Sequence, residues 1–292
     1  MVSTQIALER QRVYGWLITI DTFLGGTGSG AFLISFILAL LNRNEPITKI
    51  GTLLGPLLVL SGTFFLLADI SSKARVYRIV ANPLSWMSRG TLILAAFVIF
   101  GLAYSLPSFA LSGWTESNLG KGIGIIAAIF AVLVSVYPGF LFGRVKRIPF
   151  WSVANLPLLF FLSSCCCGIA ILLLIGPLAT SALGESSLQQ LRIAGILLIA
   201  GQLLVLGTLL ETARHGSIAT AESSRLLKTP MFIIGVIIAG TVVPLGLLSY
   251  SVIISNVIIT NVSTSIASLL LLIGGLLLRQ GIIRAGVYLP LQ

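Results

Sequence analysis

Four ionisable residues stand inside or at the ends of long apolar runs. Asp21 lies in the first run, Asp69 ends the second, Arg89 opens the third and Glu211 ends the sixth. An ionisable group at membrane depth is expensive and by default marks a proton relay or a polar ligand. Asp21 is the hardest to read as a surface residue, because its side chain is too short to reach far toward water. Asp69 and Arg89 also read as a structural ion pair, and Glu211 as a helix-end residue at the interface. Tyr137, late in the fourth run, is open to a reading as an interfacial belt residue. Pro138 follows it and should bend its helix locally, freeing a backbone carbonyl. A buried carboxyl beside a phenol can exchange protons with a polar ligand between them.

Glycines accompany these groups. The first run carries Gly25-Gly26-Thr27-Gly28-Ser29-Gly30-Ala31. It has the composition of a nucleotide loop, but no strand precedes it, so the dinucleotide fingerprint lacks its context. Small residues at this density let a neighbouring helix, or a flat ligand, come close to the backbone.

The elements that hold these residues are read from hydropathy. Apolar residues make up 57% of the 292 and charged residues only 9%, with a mean hydropathy of +1.07. A soluble domain carries roughly 25% charged residues. So few charges cannot cover a water-facing surface, which excludes a soluble enzyme. In lipid every backbone amide must be paired, and helices pair their own. A span takes about 20 apolar residues. Eight are predicted, over 14–41, 49–70, 90–108, 121–143, 151–176, 190–211, 230–254 and 262–286, with no room between them for a soluble domain. The fold class is all-α integral membrane, one polytopic domain over 1–292. Following the chain up and down brings Asp21, Asp69, Arg89, Tyr137 and Glu211 to one level, near the face that holds the N-terminus. The first run is too long for a cleaved signal. Asn82-Pro83 reads as a capped turn into a helix.

The net charge is +10, and its distribution speaks for membrane orientation rather than nucleic acid. Arg10, Arg12, Lys73, Arg75, Arg78, Arg89, Arg144, Lys146, Arg147, Arg214, Arg225, Lys228, Arg279 and Arg284 fall on the N-terminal face. Arg43, Lys49, Lys121 and Arg192 fall on the other. The positive-inside rule puts the first face, with both termini, in the cytoplasm. The cysteines, Cys165, Cys166 and Cys167, are consecutive, a spacing that suits neither a zinc site nor an iron–sulfur cluster and reads as small packing residues. The single histidine, His215, rules out a bis-histidine haem.

Four stretches resemble the NrfD-like, polysulfide-reductase-type membrane subunits of molybdenum and iron–sulfur oxidoreductases: Trp16 to Phe32, Ala68 to Leu92 with its NP-SW-SRG pattern, Tyr137 to Trp151, and Leu156 to Gly168. The resemblance implies a prokaryotic plasma-membrane anchor subunit, not catalytic alone, built as two packed four-helix bundles. It would exchange electrons between a quinone such as menaquinone and a ferredoxin-like iron–sulfur partner, with a catalytic, molybdopterin-type subunit beyond. The protein itself would hold no haem, cluster or metal. Asp21 stands where such subunits have a quinone-contacting histidine, Leu17 where they have a polar residue, and Tyr137 at their quinone-contacting tyrosine. Asp69 and Arg89 match the family's acidic and basic positions. The quinone would rest on Asp21, Gly25, Gly28 and Tyr137, with Asp69, Arg89 and Glu211 as a relay. Many relatives turn this face outward, whereas the charge count here turns it inward. A secondary transporter would carry its ionisable residues near the midplane in repeated halves; a passive anchor would bind the partner and no quinone.

Overall fold

A computed structural model describes residues 9–11, 15–41, 46–69, 86–179, 185–254 and 256–288. Eight of its helices are long and apolar enough to cross a membrane. They are α1 (Trp16–Leu40), α2 (Pro46–Asp69), α3 (Trp86–Ala110), α4 (Asn118–Gly143), α5 (Leu156–Ala179), α6 (Glu185–Arg214), α8 (Pro230–Ile253) and α9 (Val257–Arg284). A short amphipathic helix, α7 (Ile218–Leu227), precedes α8. A two-residue antiparallel ladder pairs β1 (Glu9–Arg10) with β2 (Val287–Tyr288). It puts both ends of the described chain on one face, as an even number of spans requires.

Side-chain chemistry sets the helix ends. Ser117 caps α4 by accepting from the Gly120 amide, 3.0 Å. Asn256 caps α9 through the Ile258 and Ile259 amides, so this helix starts at Val257 and not near 262. The third helix opens at Trp86, four residues before the predicted 90, because a helix pairs its own backbone through the polar Ser88 and Arg89. The fifth span shifts the other way. Phe150 and Trp151 are apolar, but Pro149 starts a separate 3₁₀ turn there, Pro149–Ser152, and α5 begins only at Leu156. The Asn82-Pro83 turn lies outside the described residues.

Within α8, Ile233–Val242 is π-helical. Its wider turn is closed by the Val243 amide reaching back five residues to the Ile238 carbonyl. Thr241 bonds the Val236 and Ile237 carbonyls at 2.8 and 2.6 Å. Such a widened turn leaves no trace in hydropathy.

Helix α1 is the hub. It packs on α2, α4, α5 and α9; α3 packs on α2 and α4; and α5, α6, α8 and α9 pack in sequence, with α9 returning to α5. The faces that bury are small or aromatic. Phe32, Phe36, Phe97 and Tyr104 fill the space among the first four helices, with Phe32–Phe97 and Phe36–Tyr104 edge-to-face at 5.4 and 5.3 Å. Offset aromatic pairs of this kind add about 0.5–1.5 kcal/mol beyond area burial. Large apolar side chains such as Phe64, Leu204, Ile253 and Ile258 are exposed on the outside, which fits a lipid-facing surface.

Candidate functional site

On α1, Asp21, Gly25 and Gly28 follow one another at spacings of four and three residues, so they share one face. That face lies against α2 at two of the three positions. A Cβ placed on Gly62 of α2 would come 3.4 Å from the Asp21 carboxylate and 3.2 Å from its carbonyl. A Cβ on Gly28 would run into the Gly55 carbonyl. Gly55 and Gly62 are seven residues apart, two turns on one side of α2, and Asp69 stands two turns further at the helix end. Of Asp69 only this backbone position is described.

Gly25 differs from its neighbours. A Cβ there would meet nothing nearer than Val134 Cγ1 of α4, at 3.9 Å. One turn along α4 stands Tyr137. Its ring packs so closely on Gly90 of α3 that no side chain fits at that position. Its hydroxyl donates to the Trp86 carbonyl at 3.3 Å. The Trp86 ring lies 5.4 Å from the Arg89 guanidinium and 4.7 Å from that of Arg144. Arg89 itself is exposed. A hydroxyl bridge, Ser29 to Ser135 at 2.9 Å, fixes α1 against α4 deeper in. The predicted residues therefore fall in two groups, Asp21 with α2, and Tyr137 with Arg89 on α3 and α4. Gly25, on the helix that carries Asp21, lies against Val134 of α4, one turn from Tyr137.

Glu211 is elsewhere. Its helix, α6, packs on α5, α7 and α8. Its carboxylate lies 2.8 Å from His215 Nε2, and its side chain is 61% exposed. The i, i+4 spacing of Glu211 and His215 makes them neighbours on the surface of α6.

Among the described residues two arginines that read from sequence as flanks of spans are buried, Arg192 at 6% exposure near the start of α6 and Arg279. Arg279 reads from sequence as a flank of the last span on the basic face, but the structure buries it to 1% exposure inside α9. Its Nε donates to the Thr22 carbonyl at 3.1 Å, Nη1 to Ser163 Oγ at 3.0 Å and the Gly275 carbonyl at 3.1 Å, and Nη2 to Ser164 Oγ at 3.1 Å. The guanidinium thus joins α1, α5 and α9 one residue beyond Asp21. No described carboxylate pairs with it. Any side chain at Gly26 would collide with it. The signal available in sequence was the match of small residues on three spans: Gly26, the Ser163-Ser164 pair and Gly274-Gly275. The three cysteines are buried and free. Among the described residues no cluster of His, Cys, Asp and Glu is arranged to hold a metal.

Eight membrane-length helices, with a carboxyl on the first and a phenol on the fourth, define a multi-pass helical membrane protein. Within that class the chain belongs to the NrfD, polysulphide reductase family, whose family model matches residues 4–290. The C subunit of polysulfide reductase from Wolinella succinogenes is 28% identical over 184 residues, 56% of this protein and 58% of that relative. The match therefore spans little more than half the length of either protein.

Proposed function

We propose that this protein is the membrane anchor of a respiratory oxidoreductase and exchanges electrons between a quinone pool and an iron–sulfur partner docked on its N-terminal face. Family membership supports the anchor role. The observation that carries the quinone reading is that Asp21 and Gly25 share one face of α1 while a Cβ on Gly25 would make only an ordinary contact, 3.9 Å, with Val134 of α4, one turn from Tyr137. A quinol bound there supplies two electrons and two protons as it becomes quinone. On this reading Asp21 takes the two protons in turn, and Asp69, at the end of α2, passes them outward while the two electrons leave to the iron–sulfur partner. Tyr137 positions the other end of the ring. Arg89 and Arg144 sit beside Trp86 and give this end of the protein positive charge, complementary to an acidic partner. On this reading the face is cytoplasmic, and Glu211 with His215 stays at the periphery of α6.

Asp21→Asn is the test. The variant complex is expected to assemble with its iron–sulfur partner and to lose quinol-linked turnover by about 100-fold, the usual contribution of a positioned acid or base. Turnover from an artificial electron donor to the catalytic partner should stay at the parent level. Full quinol-linked activity in the variant removes Asp21 from the reaction. A companion pair tests the ring's position. Gly25→Ala fits the space and should be tolerated, whereas Gly25→Leu should fold and fail to retain quinone through detergent purification. Equal quinone retention in the two would place the ring elsewhere.

A further inference from the structure

The last turns of α9 are flanked by two cavities that share the same two side chains. One, of about 330 Å³, opens between α7, α8 and α9, with Leu227, Met231, Phe232, Val236 and Leu277 among its apolar walls. The other, of about 210 Å³, lies between α9 and the start of α1, beside Trp16 and Thr19. Gln280 and Arg284 line both. Gln280 is 3% exposed, yet neither its amide nitrogen nor its amide oxygen has a hydrogen-bond partner among the described residues. Arg284, one turn on, keeps its guanidinium 5.5 Å from the Trp16 ring. A buried amide without partners costs about 1–3 kcal/mol, so this one is fitted to something that supplies both a donor and an acceptor.

The geometry points to a binding site for an acidic phospholipid with a hydroxylated headgroup, phosphatidylglycerol being the simplest. Its phosphate meets Arg284, a headgroup hydroxyl accepts from and donates to the Gln280 amide, and an acyl chain lies along Leu277 and Val236. Each part of the ligand answers a separate feature. A cation at the mouth of an apolar crevice selects a negative headgroup. A fully ionised phosphate, having only acceptors, would satisfy Gln280 Nε2 and leave Oε1 unpaired. A hydroquinone would satisfy the amide and leave Arg284 without a counter-charge. The site stands on α9, α8 and the start of α1, apart from Gly25 and Tyr137, and does not depend on the electron-transfer reading.

Thermal unfolding of the full-length protein, purified with its co-assembled subunits and stripped of lipid, tests this with three defined lipids. At alkaline pH, where the phosphatidic acid headgroup is fully ionised and can only accept, phosphatidylglycerol is expected to stabilise at concentrations about tenfold below those needed for phosphatidic acid, the worth of one satisfied buried polar group. Phosphatidylcholine should have little effect at either level. Gln280→Leu should erase the preference between the two acidic lipids while leaving the response to both. Arg284→Gln should weaken both responses together. Should either variant fail to accumulate, the three-lipid comparison on the parent protein still decides. Equal stabilisation by phosphatidylcholine overturns the site. So does a phosphatidylglycerol response that survives both substitutions, or stabilisation by a short-chain menaquinol that Gln280→Leu removes.

Discussion

Arg279→Lys destabilises this protein more than Arg279→Met. The ranking inverts the usual sense of a conservative change, and it follows from how the guanidinium is held. Burying an ion without a counter-ion costs several kcal/mol, and Arg279 sits at 1% exposure with no described carboxylate paired to it. Four hydrogen bonds to neutral groups offset that cost, and they radiate from one planar fork to α1, α5 and α9. Lysine keeps the charge but carries its donors on a single point, which cannot reach the Thr22 carbonyl and both serines at once. Methionine removes the charge and retains most of the volume. Ser163 Oγ, fully buried, loses the donor it accepts from, while the other acceptors keep partners. The Thr22 and Gly275 carbonyls each have a second lone pair within the helix, and Ser164 Oγ also donates to the Phe160 carbonyl at 2.7 Å. A volume-conserving swap of this type costs less than about 1.5 kcal/mol, whereas Arg279→Ala leaves a void and should lose about 2–5 kcal/mol. Thermal unfolding of the three variants in one detergent gives the order. A lysine variant as stable as the parent would mean that the fork does not hold the three helices together.

The spans were legible because hydropathy is a property of whole segments, and lipid leaves the backbone no alternative to helix. Their ends were less so. Phe150 and Trp151 read as part of a span, yet Pro149 gives them to a 3₁₀ turn, and Trp151 serves instead as a plug whose indole donates to the Ile282 carbonyl at 3.0 Å. Arg279 was misplaced for a related reason. Arg284, which does reach the surface, stands five positions further on, and sequence depth alone cannot distinguish the two. Direction around the helix decides: Arg279 faces Thr22 and Ser163, while Arg284 faces Trp16. The glycine run was legible as a close-approach surface with two readings, and the structure divides it residue by residue. Gly26 makes way for Arg279, Gly28 for Gly55 and Gly30 for α5, whereas a Cβ on Gly25 would make only an ordinary contact with Val134. Which glycine is spare depends on the neighbouring helices, information no single segment carries.

The heaviest loss expected from a single methyl-bearing substitution falls at the crossing of α1 and α5. A Cβ on Gly168 would overlap the backbone of Gly30 and Ala31, and a Cβ on Gly30 would overlap the Ser164 carbonyl and approach the Cys165 amide at 3.1 Å. Both obstacles are main chain, which no rotamer change can clear. In lipid, helices attract each other through close packing and not through exclusion of water, so forcing this pair apart removes the interaction that makes α1 and α5 neighbours. The damage spreads because α1 carries Asp21 and Gly25 and meets α2, α4 and α9 as well. Gly168→Val is therefore expected to abolish accumulation of the folded protein, with Gly168→Ala already reducing it severely. Gly246 supplies the contrast. It lies on the outer side of α8 with nothing within 4 Å of an added Cβ, so Gly246→Ala should raise stability by about 0.5–1 kcal/mol through helix propensity alone. Membrane accumulation measured by a C-terminal fluorescent reporter and the monodispersity of the detergent extract read both outcomes. Normal accumulation of Gly168→Val would show that α1 and α5 do not approach at Gly30, and the placement of Asp21 against α2 would have to be drawn again.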